Sequence, residues 1–325
     1  MQSIIKIGTR ESELAIWQAT KVKQLLSENG ISAELVFIKT EGDIDLQTPL
    51  YEMGVQGIFT RSLDTALLQK RIDIAVHSMK DVPTQLPAGI AQAAVLERGN
   101  YKDLLVYKQE FEGLRRQLGA VNEFLPNDHH PLTIATSSVR RKAQWLNRYP
   151  THQLENLRGN VNTRIKKLEG SQWSGAIFAA AGLERIQLRP TNSVELDWML
   201  PAPAQGAIMV VCREGEPAIA DACTMLNDVH TACCVKIERD FLRGLMGGCS
   251  TPISALAQIT TSEQTTGKKE LFFRGNLLST DGSKKVEIER FVPLENVVNL
   301  GSEMAADILK NGGQAILAEL RSNEK

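Results

Sequence analysis

Short apolar runs and longer amphipathic stretches alternate along the first hundred residues. The runs at residues 4–8, 35–39 and 72–76 have the length and apolar content of strands. Between them, residues 12–29 and 59–70 repeat apolar positions at helical spacing. This alternation predicts an α/β lobe with a mostly parallel sheet.

The same pattern starts again after residue 100. Residues 132–135 and 176–179 predict strands, and residues 138–149 and 161–168 predict helices. Both series begin with a strand, a small residue, a threonine and a polar helix start. We therefore expect two similar α/β lobes.

The last third of the chain follows a different pattern. Pro201, Pro203 and Gly206 mark a crossing segment, after which residues 207–212 form a strand that returns the chain to the first lobe. From Asp228 onward, one helix precedes three strand-like runs and a last helix, which predicts an α+β third domain. The helix covers residues 231–245, the runs 253–259, 271–278 and 286–292, and the last helix 297–309.

Composition and charge exclude several classes of protein. The chain has 325 residues, of which 42% are hydrophobic and 23% charged, as in ordinary globular proteins of two or three domains. Its 37 basic and 38 acidic residues give a net charge of −1, which opposes a general nucleic-acid or membrane-surface binder. The sequence has no apolar run of about 18 residues and no signal-peptide pattern, so we expect a cytoplasmic protein without membrane contact.

The cysteines and histidines give little sign of a disulfide framework or a metal site. The five cysteines are odd in number and contain no CxxC pair, and the five histidines lack the spacing of zinc ligands. We expect a reducing compartment and no protein-bound metal. Four of the thiols lie in apolar contexts typical of packing residues. These are Cys212, Cys223, Cys233 and Cys234.

The nearly equal numbers of basic and acidic residues conceal a local cluster of basic residues. It surrounds the starts of two predicted helices in the second lobe, where unpaired backbone N–H groups also attract anions. Arg10 and Ser12 occupy the equivalent place in the first lobe. Repetition at both lobes favours an anion pocket; the alternative is a solvated helix face. The cluster comprises Arg140, Arg141, Lys142, Arg158 and Arg164, with hydroxyls from Thr136, Ser137 and Ser138.

Two further segments carry candidate chemistry. Lys80 and Asp81 follow the carboxyl end of an apolar strand, where ligands of open α/β sheets collect. Asp81 is suited to stabilising a cation or moving a proton, unless the segment is only a polar turn before Pro83.

Cys249 follows two glycines and precedes Pro252, on a turn that favours an accessible thiol. The alternative is an inert loop cysteine.

Taken in order, these segments resemble the porphobilinogen deaminases, also called hydroxymethylbilane synthases. The resemblance spans about residues 5 to 255. The matching motifs are IGTRES at 7–12, TEGD at 40–43, DIAVHSMKDVPT at 73–84, ATSSVRRKAQ at 135–144, LRGNVNTR at 157–164, AAAGLERI at 179–186, PAPAQGAI at 201–208 and GGCSTPI at 247–253.

The resemblance implies two lobes like those of type II periplasmic binding proteins and a smaller α+β C-terminal domain. Domain 1 would comprise residues 1–98 and 205–224, with a mobile loop at 40–58. Domain 2 would comprise residues 103–199, and domain 3 residues 228–325. We expect a monomer, and the resemblance implies a role in tetrapyrrole, porphyrin and haem biosynthesis.

The resemblance also implies the reaction. A dipyrromethane cofactor would be attached to Cys249 through a thioether. Four porphobilinogens would be added head to tail with loss of ammonia, and water would release hydroxymethylbilane. Asp81 would be catalytic and would also contact the cofactor. Lys80, Ser138, Arg140 and Arg141 match cofactor ligands, Arg164 is shared between cofactor and substrate, and Arg10, Ser12, Arg158 and Arg185 match substrate contacts.

The sequence departs from the family pattern at two places. In the mobile loop Gln56 and Arg61 stand where the family usually has lysines, and residues 110–131 are about a dozen longer than usual. We interpret the longer stretch as a surface insertion.

The hypothesis that competes with the deaminase function is a non-enzymatic, two-lobed protein that binds carboxylates. An RNA-backbone binder is opposed by the net charge and by the lack of an aromatic platform.

Overall fold

The computed structural model describes residues 4–39, 60–108, 131–247, 251–261 and 269–322. Its strands are β1 (Ile5–Thr9), β2 (Ala33–Phe37), β3 (Ile74–Ser78), β4 (Ile90–Val95), β5 (Asp103–Tyr107), β6 (Thr133–Ala135), β7 (Gln153–Glu155), β8 (Gly175–Ala179), β9 (Ser193–Glu195), β10 (Ile208–Arg213), β11 (Ile253–Thr261), β12 (Lys269–Leu278) and β13 (Lys285–Pro293). Its helices are α1 (Glu13–Glu28), α2 (Arg61–Leu68), α3 (Val139–Arg148), α4 (Val161–Glu169), α5 (Ala180–Arg185), α6 (Pro217–Thr224), α7 (Val229–Gly244), α8 (Leu300–Ile308) and α9 (Gln314–Ser322).

The first sheet has the strand order β2–β1–β3–β10–β4. β1 pairs in parallel with β2 and β3, whereas β10 runs antiparallel to both β3 and β4. All strands except β10 therefore point the same way, which confirms the prediction of a mostly parallel sheet. Apolar residues cover both faces because helices pack on each side: Ile74 and Val76 join the core cluster of α1, and Ala75 joins that of α2.

The second sheet repeats this topology with the order β7–β6–β8–β5–β9. β6 pairs in parallel with β7 and β8, and β5 is the reversed strand. In each sheet the reversed strand follows directly after a crossing between the lobes. The structure thus confirms two similar α/β lobes and the return of the chain through β10.

The third sheet is an antiparallel meander, β11–β12–β13. Helices α7 and α8 cover one face, and the rings of Phe241 and Phe273 meet edge to face with centroids 5.2 Å apart. Gly275 is required here, since a Cβ at this position would lie 2.7 Å from the Phe241 ring. This unit is the smaller α+β part that the sequence predicts.

Several elements differ from the sequence prediction. The strand predicted at residues 72–76 lies at Ile74–Ser78, because pairing with β1 begins only at Ile74. The predicted last helix ends at Ile308, and α9 follows a break at which Gly312 takes a φ of +108°. β4, β5, β7, β9, α5 and α6 are additional elements.

Candidate active site

A single turn of 3₁₀-helix, Met79–Asp81, carries Lys80 and Asp81 at the carboxyl end of β3. The Val82 N–H donates to the Met79 carbonyl at 3.1 Å and closes the turn. Met79 and Val82 are buried in the core of the first lobe, which leaves the two charged residues between them half-buried. We refer to this segment as the Lys80–Asp81 turn.

Lys80 lies beside the segment that crosses between the lobes. Its ammonium donates to the Gln205 side-chain oxygen at 3.3 Å. Burial lowers the pKa of Lys80 to about 8, and the neighbouring charge of Asp81 opposes this shift. Arg141 of the second lobe lowers the pKa further, so the turn and that lobe are in electrostatic contact.

Gln205 connects this lysine to a buried carboxylate that sequence reasoning missed. Only 1% of Gln205 is exposed, and its amide nitrogen donates to Asp103 Oδ1 at 2.9 Å and to the Tyr101 carbonyl at 2.8 Å. Asp103 is the first residue of β5 and is fully buried. Two adjacent buried arginines require a carboxylate, but that signal becomes visible only once their burial is known.

Arg140 and Arg141 both pair with Asp103. Arg140 Nη2 donates to Oδ2 at 2.7 Å, and Arg141 Nη2 and Nε donate to Oδ1 at 2.7 and 3.1 Å. Burial alone would raise the pKa of Asp103, but the two guanidinium groups hold it below its usual range. Each arginine is 5% exposed, so the solvated-face alternative is wrong for this pair.

The remaining hydrogen-bonding capacity of this cluster fits an anionic group. Arg140 Nε is buried and has no hydrogen-bond partner in the part of the chain that the structure describes. The Lys80 ammonium has three donors, one of which faces Gln205. A bound carboxylate would satisfy these N–H groups, so the residues present fit a cofactor that carries carboxylates.

The hydroxyl residues before α3 are partly committed to the local fold. Ser138 is the N-cap, and its hydroxyl accepts from the Arg141 N–H at 3.4 Å. Ser137 accepts from the Leu157 N–H at 2.8 Å, and Thr136 accepts from the Ser138 N–H at 3.3 Å. Within the described parts of the chain, each of these hydroxyl groups keeps its O–H available as a donor.

Arg158 and Arg164 flank the start of α4. Arg164 Nε donates to the Gly159 carbonyl at 2.8 Å. Burial lowers the pKa of Arg164 to about 10, Arg141 acts in the same direction, and Asp81 opposes the shift. Asp81 of the first lobe therefore faces the basic cluster of the second. Arg158 is 8% exposed, so this arginine is also not on a solvated face.

Arg185 lies at the contact between the lobes. Its Nη2 atom donates to the Gly206 carbonyl at 2.6 Å, and its guanidinium lies over the Trp17 ring of α1, 5.5 Å from the centroid. Burial lowers the pKa of Arg185 to about 10. A second contact between the lobes joins Asn162 and Glu13 at 2.7 Å. Sequence reasoning did not identify Trp17 as a partner of Arg185.

Arg10 and Ser12 lie where β1 leads into α1. The Ser12 carbonyl accepts from the Ile16 N–H at 2.9 Å and starts the helix, while its side chain makes no capping hydrogen bond. Arg10 is half-buried. Burial lowers the pKa of the nearby His77 to about 4, and the charge of Arg10 contributes to this shift.

Three predicted features lie outside the described residues: Cys249, the loop at 40–58 with Gln56, and most of the stretch 110–131. Arg61 is described and is the exposed first residue of α2. The four other cysteines are free thiols, three of them buried and Cys233 half-buried. Burial raises the pKa of Cys223 and of Cys234 to about 12, which makes both poor nucleophiles.

Comparison with known proteins identifies the family. The model described as "Porphobilinogen deaminase, dipyromethane cofactor binding domain" matches residues 5–221, and "Porphobilinogen deaminase, C-terminal domain" matches residues 232–310. The chain is 38% identical to the porphobilinogen deaminase of Desulforamulus reducens, with all of both chains covered. It is also 38% identical to that of Syntrophotalea carbinolica, covering 98% of this chain and 96% of the relative.

Solved structures give more distant matches. The ligand-binding component of an ABC-type import system from Staphylococcus aureus is 16% identical, covers 74% of each chain and has a TM-score of 0.39. The L-cystine solute receptor of Neisseria gonorrhoeae is 12% identical, covers 77% of this chain and 95% of the receptor, and has a TM-score of 0.39. These likenesses carry no argument about function.

In the described residues, no helix has both the length and the apolar character needed to cross a membrane. The family matches extend over nearly the whole chain, and the chain belongs to the porphobilinogen deaminase family.

Proposed function

We propose that the chain joins four porphobilinogens head to tail on a covalent dipyrromethane and releases hydroxymethylbilane by hydrolysis. Each addition forms one carbon–carbon bond and expels one ammonia, and one water enters at the release step. The observation that carries this function is the match of both family models, which extend over residues 5–221 and 232–310. As a member of the family the chain is a transferase of tetrapyrrole biosynthesis.

The buried basic cluster supports a cofactor site. Lys80, Ser138, Arg140 and Arg141 would bind the carboxylates of the dipyrromethane, whose thioether would be made by Cys249. When bound, the dipyrromethane supplies the pyrrole end to which the first substrate is joined. Asp103 neutralises part of the arginine charge and fixes the orientation of the two guanidinium groups. Their remaining N–H donors are therefore held in place for a ligand before it binds.

Asp81 would act on the reacting pyrrole. Loss of ammonia leaves substrate with positive charge shared by the pyrrole nitrogen, and a carboxylate at that nitrogen stabilises it. Asp81 would also contact the cofactor. The interactions of Asp81 with Lys80 and with Arg164 support its position between the two lobes.

A growing chain of pyrroles needs further cationic partners, because each added pyrrole brings two carboxylates. Arg10, Ser12, Arg158 and Arg185 would bind substrate or the growing chain, and Arg164 would serve both cofactor and substrate. In support of this role, Arg158 and Arg164 flank the start of one helix, where backbone N–H groups add to the attraction for anions.

The domain partition also remains our proposal: residues 1–98 with 205–224, residues 103–199, and residues 228–325. We propose in addition that the protein is monomeric and cytoplasmic. The absence of a CxxC pair among the five cysteines supports a reducing compartment.

Replacing Arg185 with Gln should leave a loaded enzyme that stalls during elongation. A guanidinium that binds carboxylates of the growing chain contributes about 1.5–3 kcal/mol, which a neutral amide does not replace. Mass spectrometry after a short incubation with porphobilinogen should show enzyme with added pyrroles accumulating. Arg189→Gln is the matched control, because Arg189 is more exposed and pairs with Glu184. Normal turnover in both variants would refute a substrate role for Arg185.

Loading of the apoprotein should weaken as the pH rises through about 8. Lys80 has its pKa lowered to about 8, so its ammonium is present below that pH and is lost above it. Since only the ammonium attracts carboxylates, the loading rate should fall between about pH 7 and about pH 9.5. Apoprotein produced in cells that cannot make porphobilinogen is the material for this measurement. Lys80→Arg should load without that fall; a parallel fall in both proteins would exclude Lys80 as its cause.

The proposed function is tested by the balance of substrate and products. Purified protein should consume four porphobilinogens and release four ammonia for each hydroxymethylbilane formed. The alternative, a carboxylate-binding protein without activity, predicts saturable binding with no ammonia release. Ammonia without a linear tetrapyrrole would also contradict the proposal.

A further inference from the structure

Helix α7 contacts the Lys80–Asp81 turn from the C-terminal part of the chain. Val235 of this helix is fully buried and shares one core cluster with Met79 and Val82, the residues on either side of the charged pair. The helix is fixed at its start as well, since the Asp228 N–H donates to the Val95 carbonyl at 2.8 Å. The turn is therefore docked on a helix from outside its own lobe.

Arg239 makes a second contact one helical turn after Val235. Its Nη1 atom donates to the Met79 carbonyl at 3.3 Å and the Val82 carbonyl at 2.9 Å, and Nη2 donates to the Pro83 carbonyl at 2.6 Å. The residue is 7% exposed. One guanidinium thus binds three backbone carbonyls that bracket Lys80 and Asp81 in the chain.

We propose that Arg239 is a positioning residue that holds the Asp81 carboxylate in its reactive place. The planar fork of an arginine can donate to several carbonyls at fixed angles, which a lysine ammonium cannot reproduce. A displacement of about 1 Å at a reacting group costs about a hundredfold in rate. This proposal rests on the catalytic role proposed for Asp81.

The same helix leads towards the cofactor cysteine. Cys249 follows Arg239 by ten positions in the sequence, and α7 ends at Gly244 between them. Arg239 therefore connects the helix that precedes the attachment site to the turn that carries Asp81.

Kinetics of loaded enzyme test the positioning role. Arg239→Gln should lower kcat by about tenfold to a hundredfold and leave KM within about threefold, because the substrate contacts remain. Arg239→Lys should recover part of kcat. Arg243→Gln is the matched control: the same substitution on the same helix, at an exposed residue that pairs with Asp240. A kcat of Arg239→Gln equal to that of the control would overturn the proposal.

A double variant distinguishes positioning of Asp81 from a general loss of structure. In the Asp81→Asn background, Arg239→Gln should lower kcat by less than about threefold, since the carboxylate it positions is gone. A further loss as large as in the wild-type background would show that Arg239 acts elsewhere and would overturn the proposal.

Hydrogen exchange tests the contact without reference to activity. In Arg239→Gln the Val82 amide, which closes the turn, should exchange at least about tenfold faster than in wild type, and in Arg243→Gln it should not. Unchanged protection of the Val82 amide in Arg239→Gln would refute the positioning role, whatever the activity of that variant. Wild-type enzyme without porphobilinogen turnover would instead refute the proposed function, so the two failures are separable.

Discussion

Asp81→Asn should lower porphobilinogen consumption by about a hundredfold to a thousandfold in enzyme that carries its cofactor. An amide keeps the size and much of the hydrogen bonding of the carboxylate but brings no negative charge to a developing cation. Loss of one such preorganised electrostatic contact costs about 2.7–4 kcal/mol in activation free energy. The turn Met79–Asp81 contains no second carboxylate that could replace Asp81.

Asp81→Glu is the control for this prediction. It keeps the charge and moves it by about one methylene, so it should retain more activity than Asn. Both variants are first shown by mass to carry the cofactor, since Asp81 would contact that group too. An Asn variant within a few-fold of wild type would assign Asp81 to the structure of the turn.

Asp103→Asn should reduce the free energy of unfolding by about 3–5 kcal/mol. The carboxylate is fully buried between Arg140 and Arg141, and its removal leaves two buried guanidinium groups without their counter-charge. The same variant should load cofactor poorly, because the two arginines lose the partner that fixes their orientation. Denaturant unfolding of wild type and variant measures the stability difference.

Asp197→Asn is the matched control, because Asp197 is 67% exposed and pairs with Lys102 on the surface. Its effect on the free energy of unfolding should stay within about 1 kcal/mol.

The contribution of Asp103 to the free energy of unfolding depends on pH. The pKa of Asp103 lies below its unfolded value of 3.8, so its contribution is complete above that value and is lost as the pH falls below it. Equal stability of Asp103→Asn and Asp197→Asn would contradict the buried cluster.

The parts of the fold with strong periodicity could be predicted from the sequence. β1, β3 and β8 are short apolar runs, and α1, α2, α3 and α4 have apolar positions at helical spacing; both lobes follow from that alternation. β7 and β9 have only three residues each and exist because neighbouring strands pair with them. α9 was missed because the glycines at 312 and 313 mark the end of one helix without showing that another follows.

The residue types of the candidate site could be predicted from the sequence, whereas most of their contacts could not. Arg140, Arg141 and Lys80 were candidates because of their motifs and their places at strand and helix ends. The partner of both arginines, Asp103, lies 37 residues before the nearer one and opens an otherwise apolar strand. The contact between Arg239 and the Val82 carbonyl spans 157 residues. Neither pairing has a local signal, because each arises only when the sheets and α7 pack together.

The mass of the intact protein and of its peptides shows directly whether Cys249 carries the cofactor. Wild-type protein should carry the added mass of one dipyrromethane, confined to the peptide that contains Cys249. Cys249→Ser should fold and carry none. An adduct that persists in Cys249→Ser, or that lies on Cys212, Cys223, Cys233 or Cys234, would contradict the account, as would a wild-type protein without added mass.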